Sequence, residues 1–148
     1  MNAPIKPSTS MEALQARIRD IQEATRGVTA QYDRAYILQC IKEDRFPDEL
    51  WAKLGEFGLL GLSIPEEYGG SGGGVLEITA LNEALALAGV PTLFLVVTGL
   101  GRVLIVRNGT PEQIKKYVTP TCTGEKKMCF AITEPNAGSN SRQIATTA

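Results

Sequence analysis

Apolar residues recur at helical spacing through most of the chain, and they predict a succession of helices. Leu14, Ile18 and Ile21 form the first apolar stripe, directly after a segment, 9–12, that has the spacing of a capping box. A weaker stripe follows Gly27, which indicates a break or kink. Four further helices are predicted from Pro47 to Gly58, over 75–88, over 92–108 and from Thr110 to Pro120.

The pattern changes from helical to alternating near the carboxyl end. Residues 127–133 place Phe130 and Ile132 on one face and smaller side chains on the other, which predicts a strand. Segment 135–140 begins with a proline, which cannot continue a central strand, and supplies small turn residues whose backbone N–H groups suit an anion. A strand that carries the Thr133 hydroxyl into this turn suits the binding of a ligand with a flat polar ring and a phosphate. An ordinary strand and turn without a ligand fits the same residues.

This order of elements predicts a mainly α fold with two unequal parts. Residues 1–125 form a helical domain, with 1–8 as a mobile tail, and residues 126–148 begin a β-domain. One strand, or a hairpin of two, is marginal in water without further strands or a helix behind it. We therefore expect the sheet to be incomplete.

Composition excludes several classes of function. The 148 residues carry a net charge of -1, which gives no basic field for nucleic acid or an anionic membrane. The chain has no His, and its three Cys are scattered without a metal spacing, which excludes a zinc site and a His-based triad. The opening residues have no apolar core for a secretory signal, and the run 93–97 is too short to span a bilayer. The cytoplasm is therefore the expected compartment.

A glycine-rich segment, 63–74, separates two of the predicted helices. It lacks the lysine of a P-loop, and no strand is predicted before it. A structural loop is therefore favoured over a phosphate-binding loop.

The segment 130–140 reads Phe-Ala-Ile-Thr-Glu-Pro-Asn-Ala-Gly-Ser-Asn, and it resembles the flavin-lining signature of the acyl-CoA dehydrogenase family. Other landmarks of that family follow in the same order, at 45–51, 58–72 and 109–125, so the resemblance covers nearly the whole chain from Phe46 onward. It implies the family's fold: an amino-terminal helical bundle, a central β-domain and a carboxyl-terminal four-helix domain. This chain resembles the helical bundle followed by the first strand or two of a truncated β-domain.

The resemblance also implies a cofactor and the residues that contact it. The family binds FAD together with an acyl-CoA thioester, and here Phe130, Ile132 and Thr133 would lie along the flavin ring. Gly138 and Ser139 would approach the FAD pyrophosphate and the acyl-CoA, with Ser139 also contacting the substrate through its hydroxyl. Phe130 and Ile132 equally fit the core of a simple sheet.

The reaction implied by the resemblance is the α,β-dehydrogenation of an acyl-CoA to a trans-2-enoyl-CoA. A carboxylate removes the α-proton while the flavin N5 accepts a hydride, and in the family that carboxylate lies in the carboxyl-terminal region. No catalytic residue is therefore expected in these 148 residues, which we expect to be inactive alone. Glu134, inside the signature, is interpreted as structural. By resemblance, the partners are the acyl-CoA and electron-transfer flavoprotein, and the full-length enzyme is a homo-oligomer.

Two positions depart from the family signature. Asn136 stands where Gly usually follows Glu-Pro, and Asn140 stands where Asp usually follows Gly-Ser. Asn can make many of the side-chain-to-backbone bonds that Asp makes in a turn, but it carries no charge.

One alternative function belongs to a different class. The predicted helix over 92–108 is apolar on most sides, so without a covering domain it would favour association. The chain would then be a non-catalytic helical interaction module that binds a partner subunit or a lipid-like ligand.

Overall fold

The computed structural model of the protein describes residues 10–147, and most of these residues are helical. The helices in chain order are α1 Met11–Thr29, α2 Arg34–Lys42, α3 Asp48–Glu56, α4 Val75–Leu87, α5 Leu93–Asn108, α6 Pro111–Tyr117 and α7 Thr119–Cys122. Short 3₁₀ turns lie at Leu59–Gly61, Glu66–Tyr68 and Ser141–Gln143. The predicted mainly α fold is confirmed. The mobile tail expected over 1–8 lies outside the described residues, as does Thr9.

Side-chain caps fix where three of the helices begin. The Ser10 hydroxyl accepts a hydrogen bond from the Ala13 N–H at 3.1 Å, so α1 begins directly after Ser10. The Asp33 carboxylate accepts two N–H groups at the start of α2. Thr110 and Gln113 form a capping box at the start of α6.

Two predicted helix boundaries are wrong. Gly27 lies inside α1, and the break falls instead at 30–33, because Asp33 caps a new helix. Pro120 does not end the helical region after α6. It lies in the first turn of α7, where a backbone N–H has no acceptor within the helix, so proline loses no hydrogen bond there.

One large apolar cluster contains residues of each helix from α1 to α5. Leu50, Leu54 and Leu85 are fully buried in it, together with residues from α1, α2 and α5. The Arg17 Nε lies 3.5 Å from Glu77 Oε1 and so pairs α1 with α4, and the same carboxylate caps the start of α4. A smaller cluster packs α6 and α7 against Ile64, Tyr68 and the last turns of α5.

Trp51 connects α3 to the turn that follows α7. Its side chain is buried, and its indole Nε1–H donates to the Gly124 carbonyl at 3.2 Å. The Phe46 ring lies edge-on to the indole, with 5.8 Å between ring centroids. These contacts fix where the chain leaves the helical domain.

The glycine-rich loop folds back on the turn before it. The N–H groups of 71–73 donate to the carbonyl oxygens of Gly61, Leu62 and Ile64 at 2.7 to 3.1 Å. A Cβ at Gly70 would lie 2.0 Å from the Ile64 oxygen, so only glycine allows this approach. Because these N–H groups are already bonded, the loop is structural, as the sequence favoured.

α5 buries only part of its surface. Leu95 is buried, whereas Val96, Leu100 and Leu104 are each about half exposed, at 46%, 49% and 51%. Among the helices of residues 10–147, none, α5 included, combines the length and apolarity needed to cross a membrane. The half-exposed residues Val96, Leu100 and Leu104 line an open groove on one side of α5.

The strand predicted over 127–133 does not form within the described residues. This segment has no ladder hydrogen bonds, and a single antiparallel bridge joins Glu134 to Ala137. A strand needs a neighbour that pairs with its N–H and C=O groups, and residues 10–147 supply none. The domain boundary at 125–126 stays a prediction.

Candidate functional site

A groove of ≈ 590 Å³ runs between α4 and α5. Its wall is mainly apolar and includes Ile78 and Leu81 of α4, Leu100 of α5 and the leucines that follow α3. Phe130 and Ile132 also line it. The structure therefore places two of the predicted FAD-contacting residues on this groove.

Four polar side chains interrupt the apolar wall, Ser63, Asn82, Arg102 and Arg107, and two of them have buried unpaired atoms. Arg102 is 6% exposed and donates from Nη1 to the Leu60 carbonyl, while its Nε is buried without a hydrogen-bond partner. Asn82 donates to the Ile78 carbonyl at 2.8 Å, and its Oδ1 is also buried and unpaired. Burial lowers the pKa of Arg102, because a desolvated cation loses hydration, but a guanidinium stays protonated.

Phe130 also borders a second cavity, of ≈ 260 Å³, whose walls include Phe46 and Trp51. Lys127 anchors the chain beside it. The Lys127 Nζ donates to Asp48 Oδ1 at 2.5 Å and lies 4.6 Å from the centroid of the Phe46 ring. These contacts hold the segment that carries Phe130 against α3.

Thr133, Gly138 and Ser139 are exposed and do not line the groove. Within residues 10–147, neither hydroxyl makes a hydrogen bond, and a Cβ at Gly138 would meet no atom within 4 Å. The structure thus does not enclose these three residues in one site with Phe130 and Ile132. Free hydroxyls beside an open glycine fit a polar ligand, such as FAD, that approaches from outside the chain.

Glu134 is occupied by structural hydrogen bonds. Its carboxylate accepts from the N–H groups of Ala145 and Thr146, both at 2.9 Å, and from the Thr146 hydroxyl. The Ala145 N–H, followed by the two Thr146 donors, lowers the pKa of Glu134 from its usual value. An ionised carboxylate that already binds the chain supports the structural interpretation of Glu134.

The two departures from the signature have little effect on the local backbone. Among the described non-glycine residues, only Asp44 has a positive φ, so Asn136 occupies its turn without strain. The side chain of Asn140 makes no hydrogen bond in the described part of the chain. The side-chain-to-backbone bonds that Asn can make in a turn are thus not formed at 140.

The polar side chains of the groove were missed by the sequence reasoning. Arg102 is a single charge inside a run of α5 that is otherwise apolar, from 93 to 106. That contrast was the available signal, because a charge on a buried helix face needs a partner. Asn82 gave no comparable signal, because an uncharged polar residue is ordinary on the solvent side of a helix.

The helical region that forms this groove matches a known protein family. Residues 15–125 match the family model described as "Acyl-CoA dehydrogenase, N-terminal domain". The chain belongs to the acyl-CoA dehydrogenase family. The match spans most of the helical region and ends just before the segment that carries Phe130 and Ile132.

Individual relatives agree with this assignment. Acyl-CoA dehydrogenase FadE12 of Mycobacterium tuberculosis is 40% identical over 129 residues, which cover 86% of this chain and 33% of the relative. A subunit of the caffeyl-CoA reductase-Etf complex of Acetobacterium woodii is 39% identical over 115 residues, covering 76% and 30%. The structure of butyryl-CoA dehydrogenase from Megasphaera elsdenii superimposes with a TM-score of 0.73 at 26% identity, covering 95% of this chain and 36% of that one. The chain thus spans about a third of the length of these relatives.

Proposed function

We propose that this chain is the amino-terminal part of an FAD-dependent acyl-CoA dehydrogenase. Its reaction is the α,β-dehydrogenation of an acyl-CoA to a trans-2-enoyl-CoA. The observation that carries the proposal is the location of Phe130 and Ile132 on an apolar groove, within a chain whose helical region matches this family. The groove offers the acyl chain a mainly apolar surface, as substrate pockets do.

The chemical groups of the signature residues are suited to binding FAD. Thr133 and Ser139 offer free hydroxyls, and Gly138 leaves its backbone open to a close neighbour. We assign Phe130, Ile132 and Thr133 to the flavin ring, and Gly138 and Ser139 to the pyrophosphate, with Ser139 also contacting the acyl-CoA. When bound, FAD accepts the hydride, and this chain's task is to position the ring and exclude water.

The chain is proposed to be inactive alone, because no base is assigned among its residues. Glu134 is held by Ala145 and Thr146, which leaves it poorly suited to remove a proton. The active enzyme is proposed to be a cytoplasmic homo-oligomer that passes electrons to electron-transfer flavoprotein. The name of the Acetobacterium relative, a subunit of an Etf complex, supports that choice of acceptor.

The test of this proposal is the absorbance spectrum of the purified chain after incubation with FAD and desalting. We expect retained flavin bands, and we expect the double variant Thr133→Val with Ser139→Ala to retain much less flavin. Thr79→Ala is the control, because it changes an exposed hydroxyl of α4 away from the groove. A colourless wild-type chain would contradict FAD binding by these residues alone, and turnover of an acyl-CoA with an artificial electron acceptor would contradict the proposed inactivity.

The exposed side of α5 favours a second candidate, the non-catalytic interaction module. Val96, Leu100 and Leu104 recur at helical spacing and stay about half exposed. This candidate predicts association that rises with concentration, measured by sedimentation, together with binding of a hydrophobic dye. A monomer at high concentration that binds no dye would exclude it.

A further inference from the structure

We propose that the groove between α4 and α5 binds a flexible apolar chain that ends in a carboxylate, with Arg102 as the partner of that carboxylate. The inference rests on the proposed function only in that the apolar chain would be the acyl part of a thioester. It goes further by naming the group at the far end of that acyl chain.

The first argument is the condition of Arg102. Its side chain is a buried cation, and none of the ion pairs in residues 10–147 includes it. Removing a cation from water is unfavourable, and a well-placed anion offsets that cost. The Leu60 carbonyl neutralises none of that charge, although it accepts one hydrogen bond. Arg102 is therefore incomplete without an anion.

The second argument is the edge of the guanidinium that remains available. Nη1 is bonded to the Leu60 carbonyl, whereas Nε is unpaired and Nη2 has no partner among the described residues. Nε and Nη2 lie on the same side of the planar guanidinium. Two parallel donors on one edge match the two oxygens of a carboxylate.

The third argument is the shape and chemistry of the groove. Its volume of ≈ 590 Å³ lies in the usual range for small-molecule sites, and its wall is mostly apolar, with Arg102 as its buried cation and Arg107 as an exposed one. A methylene chain fits that wall, and a bulky dianion such as phosphate would be desolvated without enough donors. The unpaired atom of Asn82 is the acceptor Oδ1, which cannot bind a carboxylate.

The test compares ligands of equal length by isothermal titration of the purified chain. Octanoate and suberyl-CoA both end in a carboxylate, whereas octanol and octanoyl-CoA do not. We expect octanoate to bind about tenfold more tightly than octanol, a difference of about 1.4 kcal/mol, because hydrogen bonds between charged groups are stronger than those of a neutral hydroxyl. Suberyl-CoA binding above that of octanoyl-CoA would identify an acyl thioester as the source of the carboxylate, and a preference seen only with octanoate would identify a free fatty acid.

The variant that tests Arg102 is Arg102→Met, which keeps an apolar stem without the charge. We expect it to bind octanoate and octanol within about twofold of each other. Arg102→Lys is expected to restore part of the preference for octanoate, because it restores charge without the planar edge. Arg19→Met, an exposed arginine of α1 outside the groove, is the matched control and should keep the full preference.

Three results would overturn the inference. They are equal affinity of the wild-type chain for octanoate and octanol, no saturable binding of either, and an unchanged preference in Arg102→Met. Should Arg102→Met not fold, as judged by circular dichroism, the wild-type comparison and Arg102→Lys decide the question. Self-association that octanoate cannot reverse would assign the groove to a polypeptide. No flavin enters this titration, so its failure is distinguishable from failure of the FAD-binding test.

Discussion

Two glycines that both lie in helices have opposite surroundings. A Cβ at Gly55 of α3 would lie 2.1 Å from the Thr123 carbonyl oxygen and 2.6 Å from its carbon. A Cβ at Gly27 of α1 would meet no atom within 4 Å, and Gly27 is exposed. The contact between α3 and the turn after α7 therefore requires glycine at 55, whereas position 27 has no such requirement.

We expect Gly55→Ala to lower the free energy of unfolding by about 1–3 kcal/mol, because the methyl group must push backbone away from backbone. Gly27→Ala is the matched control, and we expect it to raise the free energy of unfolding by roughly 0.5–1 kcal/mol through helix propensity. Urea unfolding followed by circular dichroism measures both changes. An unchanged midpoint for Gly55→Ala would contradict the close packing of α3 on Thr123.

At the scale of elements, a charged cluster connects α2 to α3. The Tyr36 hydroxyl donates to Glu49 Oε2 at 2.5 Å, and Arg45 Nη1 lies 2.9 Å from the same oxygen. The Tyr36 bond, then the backbone N–H of Glu49 and then Arg45, lower the pKa of Glu49 to about 2. Because the Glu49 side chain is 52% exposed, solvent screens these interactions and their effect on stability is small.

This cluster predicts a specific acid dependence. The pKa of Glu49 is lower in the folded chain than its usual value of 4.5, so ionised Glu49 stabilises the fold above that value. The stabilisation is lost as the pH falls from about 4.5 towards 2. Thermal melting at neutral pH and at about pH 3 should show a smaller acid-induced decrease for Glu49→Gln than for the wild-type chain.

The control for this measurement is Glu23→Gln. Glu23 is an exposed glutamate of α1 that makes no ion pair within the described residues. It should show the same decrease in melting temperature as the wild-type chain. Equal decreases for Glu49→Gln and the wild-type chain would mean that the cluster does not contribute to stability.

At the scale of the whole molecule, the helices were predictable because their signals are local. The capping box of α6 and the stop after α3 use residues within one turn of the helix end. The strand over 127–133 was not predictable in this way. Its alternating pattern is genuine, but a strand forms only when a neighbour satisfies its backbone, and that neighbour is not encoded in the pattern.

The candidate site was predictable only in part. The family signature identified Phe130 and Ile132 as site residues, and both line the groove. The roles of Thr133, Gly138 and Ser139 stay predictions, because those residues face outward from the chain. For Arg102, the apolar run of α5 signals a charge that needs a partner, but the absence of that partner depends on what α4 and the 3₁₀ turn bring next to it, which no local pattern contains.

The position of Trp51 also gives the chain an internal fluorescent reporter. Trp51 is the only tryptophan in the sequence, and its indole is both buried and bonded to Gly124, at the exit to the signature segment. Emission from a shielded indole lies at shorter wavelength than emission from an indole in water. Detachment of the exit turn from α3 would therefore shift the emission to longer wavelength. Movement of the signature segment can thus be followed in the unlabelled protein.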